Sequence, residues 1–124
     1  MKLLGRCLTT NFQILSEYNT ALFFLNQNDL KDCNFHKGDT EGFVNMPLSL
    51  KGIVFSAFFI EYNDGVKISF RSKTSFDVNV FSRNHFNGGG HKNASGGKIT
   101  DMSLEKTIEY FKSLLPNYEN ELKS

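Results

Sequence analysis

Ten consecutive residues, Gly88-Gly89-Gly90-His91-Lys92-Asn93-Ala94-Ser95-Gly96-Gly97, hold five glycines around one histidine, one lysine and one asparagine. A backbone without Cβ atoms reaches conformations closed to other residues and lets a ligand approach closely. Successive free N–H groups in such a stretch form a concavity for an anion. A helix starting at Lys92 would add its own unpaired N–H groups and partial positive charge. The segment is therefore expected to cradle a phosphate, with the His91 imidazole at its rim able to donate to a phosphate or leaving oxygen. The Ala94-Ser95-Gly96 patch has a second use, since small side chains let a helix pack closely on a sheet.

Arg71 is the next candidate. From Val66 to Lys73 the chain alternates, with Val66, Ile68 and Phe70 on one face and Lys67, Ser69, Arg71 and Lys73 on the other. A planar guanidinium matches a phosphate bidentately, so Arg71 is expected to act as a clamp beside the glycines. Phe86 is the aromatic placed to stack on a base. Asn45 could bond a ribose hydroxyl or cap a turn, and Glu41 could satisfy a helix start. The two cysteines, Cys7 and Cys33, have no metal-ligand spacing, and no histidine pattern would hold a metal. No serine has an evident partner base, and no carboxylates are paired. The chain is thus expected to hold a phosphate but not to attack one.

The elements that must position these residues are legible in outline. Phe12 to Leu25 reads as two strands broken at Tyr18-Asn19-Thr20. Gln27 to Cys33 reads as a short helix, Lys37-Gly38-Asp39 as a turn, and Glu41 to Val44 as a helical turn stopped by Pro47. Gly52 to Tyr62 is a strongly apolar strand, followed by a hairpin at Asn63-Asp64-Gly65. Asp77 is expected to cap a helix through His85, and Ser103 a helix with Leu104, Ile108, Phe111 and Leu115 on one side. Pro116 ends that helix, and Asn117 to Ser124 is expected to fray.

The bulk numbers set bounds. With 124 residues, 40% of them hydrophobic and 13 of them Phe, the chain can bury one domain's core. The net charge of +1 argues against a general polyanion binder. The charge is uneven, however: residues 67–98 carry six basic side chains and one acid, Asp77. Such a local field suits a small anion better than a long duplex. No apolar run approaches the roughly 20 residues of a membrane span, and the start is unlike a signal peptide, so a cytoplasmic protein is expected.

Gly88-Gly89-Gly90-His91 with Asn93-Ala94-Ser95-Gly96 matches the GGGHxxAxG signature of the DHH-associated domain, with Ser95 in place of a common alanine. The Glu41–Asn45 and Ser69–Lys73 segments share the resemblance, which runs from about Leu8 to Leu115. Within the DHH phosphoesterase superfamily the chain is most similar to the NrnA group, oligoribonucleases that also dephosphorylate 3′-phosphoadenosine 5′-phosphate and are often called exopolyphosphatase-related. The resemblance implies that residues 1–124 form one α/β domain, with a mixed, largely antiparallel sheet of about five strands flanked by helices. It implies that Arg71 and Gly88, Gly89, Gly90 and His91 contact the substrate phosphate, with Ser72, Asn45 and Asn93 carried over beside them. It also implies a separate N-terminal DHH domain as partner, absent from this chain, whose Asp and His ligands bind two Mn²⁺ ions. The chain itself is then expected to carry no cofactor and no hydrolytic activity, and to bind a short RNA or nucleotide phosphate. A stand-alone nucleotide- or RNA-binding module without catalysis is the competing reading.

Overall fold

The computed structural model describes residues 11–32 and 45–123. The expected turn at Lys37–Asp39, the helical turn at Glu41–Val44 and both cysteines lie outside those residues. Within the described residues six strands form one mixed sheet: β1 (Phe12–Leu15), β2 (Thr20–Leu25), β3 (Phe55–Tyr62), β4 (Gly65–Ser72), β5 (Gly89–His91) and β6 (Ala94–Ile99). Their spatial order is β1-β2-β3-β4-β6-β5. Only β2 and β3 run parallel; the other pairs are antiparallel. Among the described residues the helices are α1 (Gln27–Asp32), α2 (Val78–His85), α3 (Leu104–Leu114) and α4 (Glu119–Lys123), with 3₁₀ turns at Ser16–Tyr18, Met46–Ser49 and Leu115–Tyr118. Among the described residues no helix is long and apolar enough to cross a membrane.

Local sequence explains most of these boundaries. Asn19, left-handed at φ 51°, turns the chain between β1 and β2, a conformation asparagine tolerates well. The Asn63-Asp64 pair makes a two-residue loop between Tyr62 and Gly65, which pair directly. The Asp77 carboxylate accepts from the Val80 N–H at 3.0 Å, and the Ser103 hydroxyl from the Lys106 N–H at 3.1 Å, satisfying one orphan donor at each helix start. Pro116 sits at the head of the 3₁₀ turn that follows α3, as a residue without an N–H should.

The alternation along β4 divides the sheet's two faces. Val66, Ile68 and Phe70 point to the face covered by α2 and α3, where Phe55, Phe59, Phe81, Phe86 and Phe111 are also buried. Their rings meet edge-on, tilted or stacked, as between Phe55 and Phe81 (5.3 Å, edge-on), Phe70 and Phe86 (5.1 Å, tilted) and Phe81 and Phe86 (5.7 Å, stacked). Each such side chain contributes roughly 1.5–3 kcal/mol by leaving water. A smaller cluster of Phe23, Leu25, Phe58 and Ile60 fills the opposite face near α1.

Three expectations fail here. The glycine segment is not the start of a helix: it folds as the β5–β6 hairpin, with Lys92-Asn93 as its turn. Phe86 is fully buried between β4 and α3 and so has no face for a base. The C-terminal residues do not fray as a whole. Leu122 is fully buried, and the Asn19 side-chain amide donates to its carbonyl at 3.0 Å.

Candidate functional site

Helix α2 and the β5–β6 hairpin are joined by hydrogen bonds that each use at least one backbone group. The Val78 N–H donates to the Lys92 carbonyl at 2.7 Å, so the hairpin turn satisfies a donor at the helix start. The Ser95 hydroxyl donates to the Val78 carbonyl at 2.7 Å and the Ser82 hydroxyl to the Gly96 carbonyl at 2.6 Å. The Lys98 N–H donates to the Phe86 carbonyl at 2.9 Å. Such close approach requires glycine at two positions outside the Ala94-Ser95-Gly96 patch. A Cβ on Gly97 would stand 2.4 Å from the Phe86 carbonyl oxygen, and one on Gly88 only 1.8 Å from that of Gly96.

The amides of the glycine triplet are partly spent inside the molecule. The Gly88 N–H donates to the Ser82 carbonyl at 3.3 Å and the Gly90 N–H to the Asn79 side-chain carbonyl at 2.9 Å. The expected run of successive free donors is therefore not present. What remains is an edge strand of bare backbone. Its Gly90 and His91 are exposed and Gly89 is half-buried.

Arg71 lies on β4 directly opposite Ala94 of β6, and Ala94 lies directly opposite His91 of β5. Residues opposed in an antiparallel pair share a face of the sheet. One register row thus carries the arginine, a methyl group and the histidine. The half-buried Arg71 guanidinium donates through Nη1 to the Phe70 carbonyl at 2.8 Å and the Ser95 carbonyl at 3.4 Å. Ser95 is itself paired with Gly90. These contacts hold the guanidinium over the β4–β6 pair, outside the apolar interior.

Ser72 and Asn93 have structural tasks. Asn93 donates both amide hydrogens, to the Ser72 hydroxyl at 2.7 Å and to the Thr74 carbonyl at 2.9 Å. The Ser72 hydroxyl donates to the Phe76 carbonyl at 2.7 Å. Neither side chain keeps a donor for a phosphate oxygen. Their network fixes the end of β4 to the hairpin turn and the approach to α2. Asn45 is exposed and leads into the 3₁₀ turn Met46–Ser49, which Lys73 fastens to the end of β4 through the Leu48 carbonyl at 2.7 Å.

Two residues at this edge escape a reading of the sequence. Asn79 and Arg83 are four apart on α2, on one helical face, and both stand over Gly89. Helical spacing and a polar type are common to many solvent-facing residues. The strand beneath them becomes visible only in three dimensions.

Manganese, which the resemblance implies for the superfamily, has no fitting ligand set here: among the described residues no three His, Cys, Asp or Glu side chains gather. No chemical step is assigned to a metal on these residues.

The DHHA1 domain model matches residues 19–117, from β2 through α3 and into the 3₁₀ turn that follows it. The chain belongs to the DHHA1 domain family. Among curated proteins, this DHHA1 domain is 35% identical over 97 residues to a 3′,5′-cyclic-nucleotide phosphodiesterase of Helicobacter pylori, a match covering 69% of this chain and 26% of the relative. It is 33% identical over 85 residues to the bifunctional oligoribonuclease and PAP phosphatase NrnA of Bacillus subtilis, covering 68% and 26%. The chain therefore spans about a quarter of the length of these relatives. Among solved structures, an exopolyphosphatase-related protein from Bacteroides fragilis superposes with a TM-score of 0.91 at 39% identity, over 99% of this chain and 36% of that one. The DHHA1 domain is thus associated with phosphoesterases in its named relatives.

Proposed function

We propose that this DHHA1 domain is the substrate-gripping part of a DHH-family phosphoesterase acting on short oligoribonucleotides or 3′-phosphoadenosine 5′-phosphate. The observation that carries the reading is the register row of Arg71, Ala94 and His91 against the glycine edge. A phosphate resting there would meet the Arg71 guanidinium on the β4 side and the His91 imidazole on the β5 side. Ala94 between them is too small to obstruct it. The two carbonyl bonds of Nη1 hold the guanidinium in place before a ligand arrives, which lowers the entropy cost of binding. The names of the relatives support a nucleotide phosphoester as the ligand.

In this reading, water activation belongs to a companion DHH domain whose Asp and His side chains bind Mn²⁺. The contribution of the DHHA1 domain is to hold the phosphoester in register with that centre. The test is to titrate this chain with 3′-phosphoadenosine 5′-phosphate and with 5′-phosphorylated diadenylate while following backbone amide resonances. Residues 88–93 are expected to shift. Arg71→Ala is expected to weaken binding by roughly 1.5–3 kcal/mol, the worth of a charge-assisted contact. Unmoved resonances there, or an unchanged dissociation constant in Arg71→Ala, would overturn the proposal.

A further inference from the structure

Helix α2 brings a second arginine to the glycine strand. A Cβ placed on Gly89 would meet Arg83 Cγ at 3.2 Å, Arg83 Cδ at 3.5 Å and the Asn79 side-chain oxygen at 3.1 Å. The aliphatic stem of Arg83 therefore lies along the bare backbone of Gly89. One turn earlier on the same face, Asn79 holds the Gly90 N–H. Together they grip β5 from the helix side. Arg71 lies on β4, across β6 from this strand, in the row that ends at His91, and Gly89, two residues before His91, shares that face.

The ordinary role for an arginine in the last turn of a helix is to bond the terminal carbonyls or to pair with a neighbouring acid. Arg83 does neither. It is exposed, and it makes no hydrogen bond or ion pair among the described residues. The Ser82 carbonyl at this helix end is already taken by the Phe86 and Gly88 N–H groups. The nearest acid in sequence, Asp77, is occupied at the other end of α2 as its N-cap. An arginine whose stem is seated and whose charge is unmatched is a ready contact for an anion.

We infer that Arg83 binds a second phosphate of the substrate, on the Gly89 side of β5, while Arg71 and His91 hold the first. The inference rests on the reading proposed for the Arg71–His91 row. Gly89 and His91 are two residues apart on an extended strand, about 6.6–6.8 Å. That offset favours a ligand with two phosphoryl groups over one with a single group. The second group is either the free phosphate of a nucleoside bisphosphate or the bridging phosphodiester of a dinucleotide.

The test compares adenosine 5′-monophosphate, adenosine 3′,5′-bisphosphate and 5′-phosphorylated diadenylate on the intact chain by calorimetry, in wild type, Arg83→Ala, Arg83→Lys and Arg71→Ala. Arg83→Ala is expected to weaken one or both two-phosphate ligands about tenfold and the monophosphate less than about twofold, as loss of one charge-assisted contact should. A larger loss for the bisphosphate assigns the site to a free phosphate; a larger loss for the dinucleotide assigns it to the bridging group. The salt slope for the affected ligand should fall by about one, and Arg83→Lys should recover part of the affinity. Thermal melting of each variant separates binding from folding. If Arg83→Ala leaves all three affinities unchanged, or weakens all three equally, the second-phosphate site is wrong. Loss of binding in Arg71→Ala alone would then leave the first site standing, and no loss in either variant would remove both.

Discussion

Gly88→Ala should unfold the hairpin from its helix, whereas Gly89→Ala, one residue on, should be nearly silent in stability. At position 88 the new methyl would stand 1.8 Å from the Gly96 carbonyl oxygen and 2.7 Å from the Gly97 Cα, both main-chain atoms that cannot rotate away. Relief requires β6 to draw back from α2. That movement breaks the bond from the Ser82 hydroxyl to the Gly96 carbonyl (2.6 Å) and the bond from the Lys98 N–H to the Phe86 carbonyl (2.9 Å). Two hydrogen bonds contribute about 1 kcal/mol each, and overpacking costs about 1–3 kcal/mol more. The sum, about 3–5 kcal/mol, is a large share of the roughly 5–15 kcal/mol that holds a domain folded. At about 4 °C per kcal/mol for a chain of this size, the melting temperature should fall by about 12–20 °C. At position 89 the neighbours are side-chain atoms of Asn79 and Arg83, at 3.1 and 3.2 Å, which can shift. Gly89 has no positive φ, so the entropy gained by restricting the unfolded chain, about 0.4–1 kcal/mol, offsets the crowding. Calorimetric melting of the two variants measures the difference directly. A Gly88→Ala protein that melts within about 3 °C of wild type would refute the packing role assigned to that glycine.

Phe86→Ala should act on folding and not on ligand recognition. The ring is fully buried against Phe70, Phe81 and Tyr110, and its loss should cost about 3–5 kcal/mol in chemical denaturation. The same variant, measured below its melting temperature, should keep its nucleotide affinity; a specific loss of binding would return Phe86 to the site. The His85 imidazole shares a 2.7 Å hydrogen bond with the Tyr118 hydroxyl at the junction of α2 and the C-terminal turn. Burial holds the His85 pKa below its usual 6.5, so the unfolded chain takes the proton first. Stability from this source is complete above about pH 6.5 and declines as the pH falls through the folded-state value. Burial, followed by the charge of Glu121 and the neighbouring Tyr110, raises the Tyr118 pKa above 10.0. Its contribution is therefore complete below pH 10 and declines as the pH rises through the folded-state value. Melting curves from pH 5 to 8 should show a weaker slope in His85→Gln than in wild type; parallel slopes would show that the half-buried imidazole plays no part.

The elements of this domain were readable where local physics decides them. Alternation along Val66–Phe70 needs only a period of two, and Asp77 and Ser103 cap helices whose first turns lie within three residues of them. The turns at Asn19 and Asn63-Asp64 also follow from a few adjacent residues. Likewise, the spacing of glycines, histidine and small residues carried the family resemblance, and the basic face of β4 singled out Arg71. What no local pattern could decide was what stands opposite each glycine. Gly88 and Gly97 are glycines because the backbone of a neighbouring element passes within a methyl's width, whereas Gly89 lies under the side chains of Asn79 and Arg83. Phe86 and Ser72 had the types of ligand-binding residues, but the packing of α2 and α3 buried the ring and the Asn93–Ser72–Phe76 network consumed the hydroxyl. A side chain's type is written in the chain, but the atoms that satisfy or displace it come from residues distant in sequence, so only the assembled sheet separates the glycines pressed against main chain from the one that lies under movable side chains.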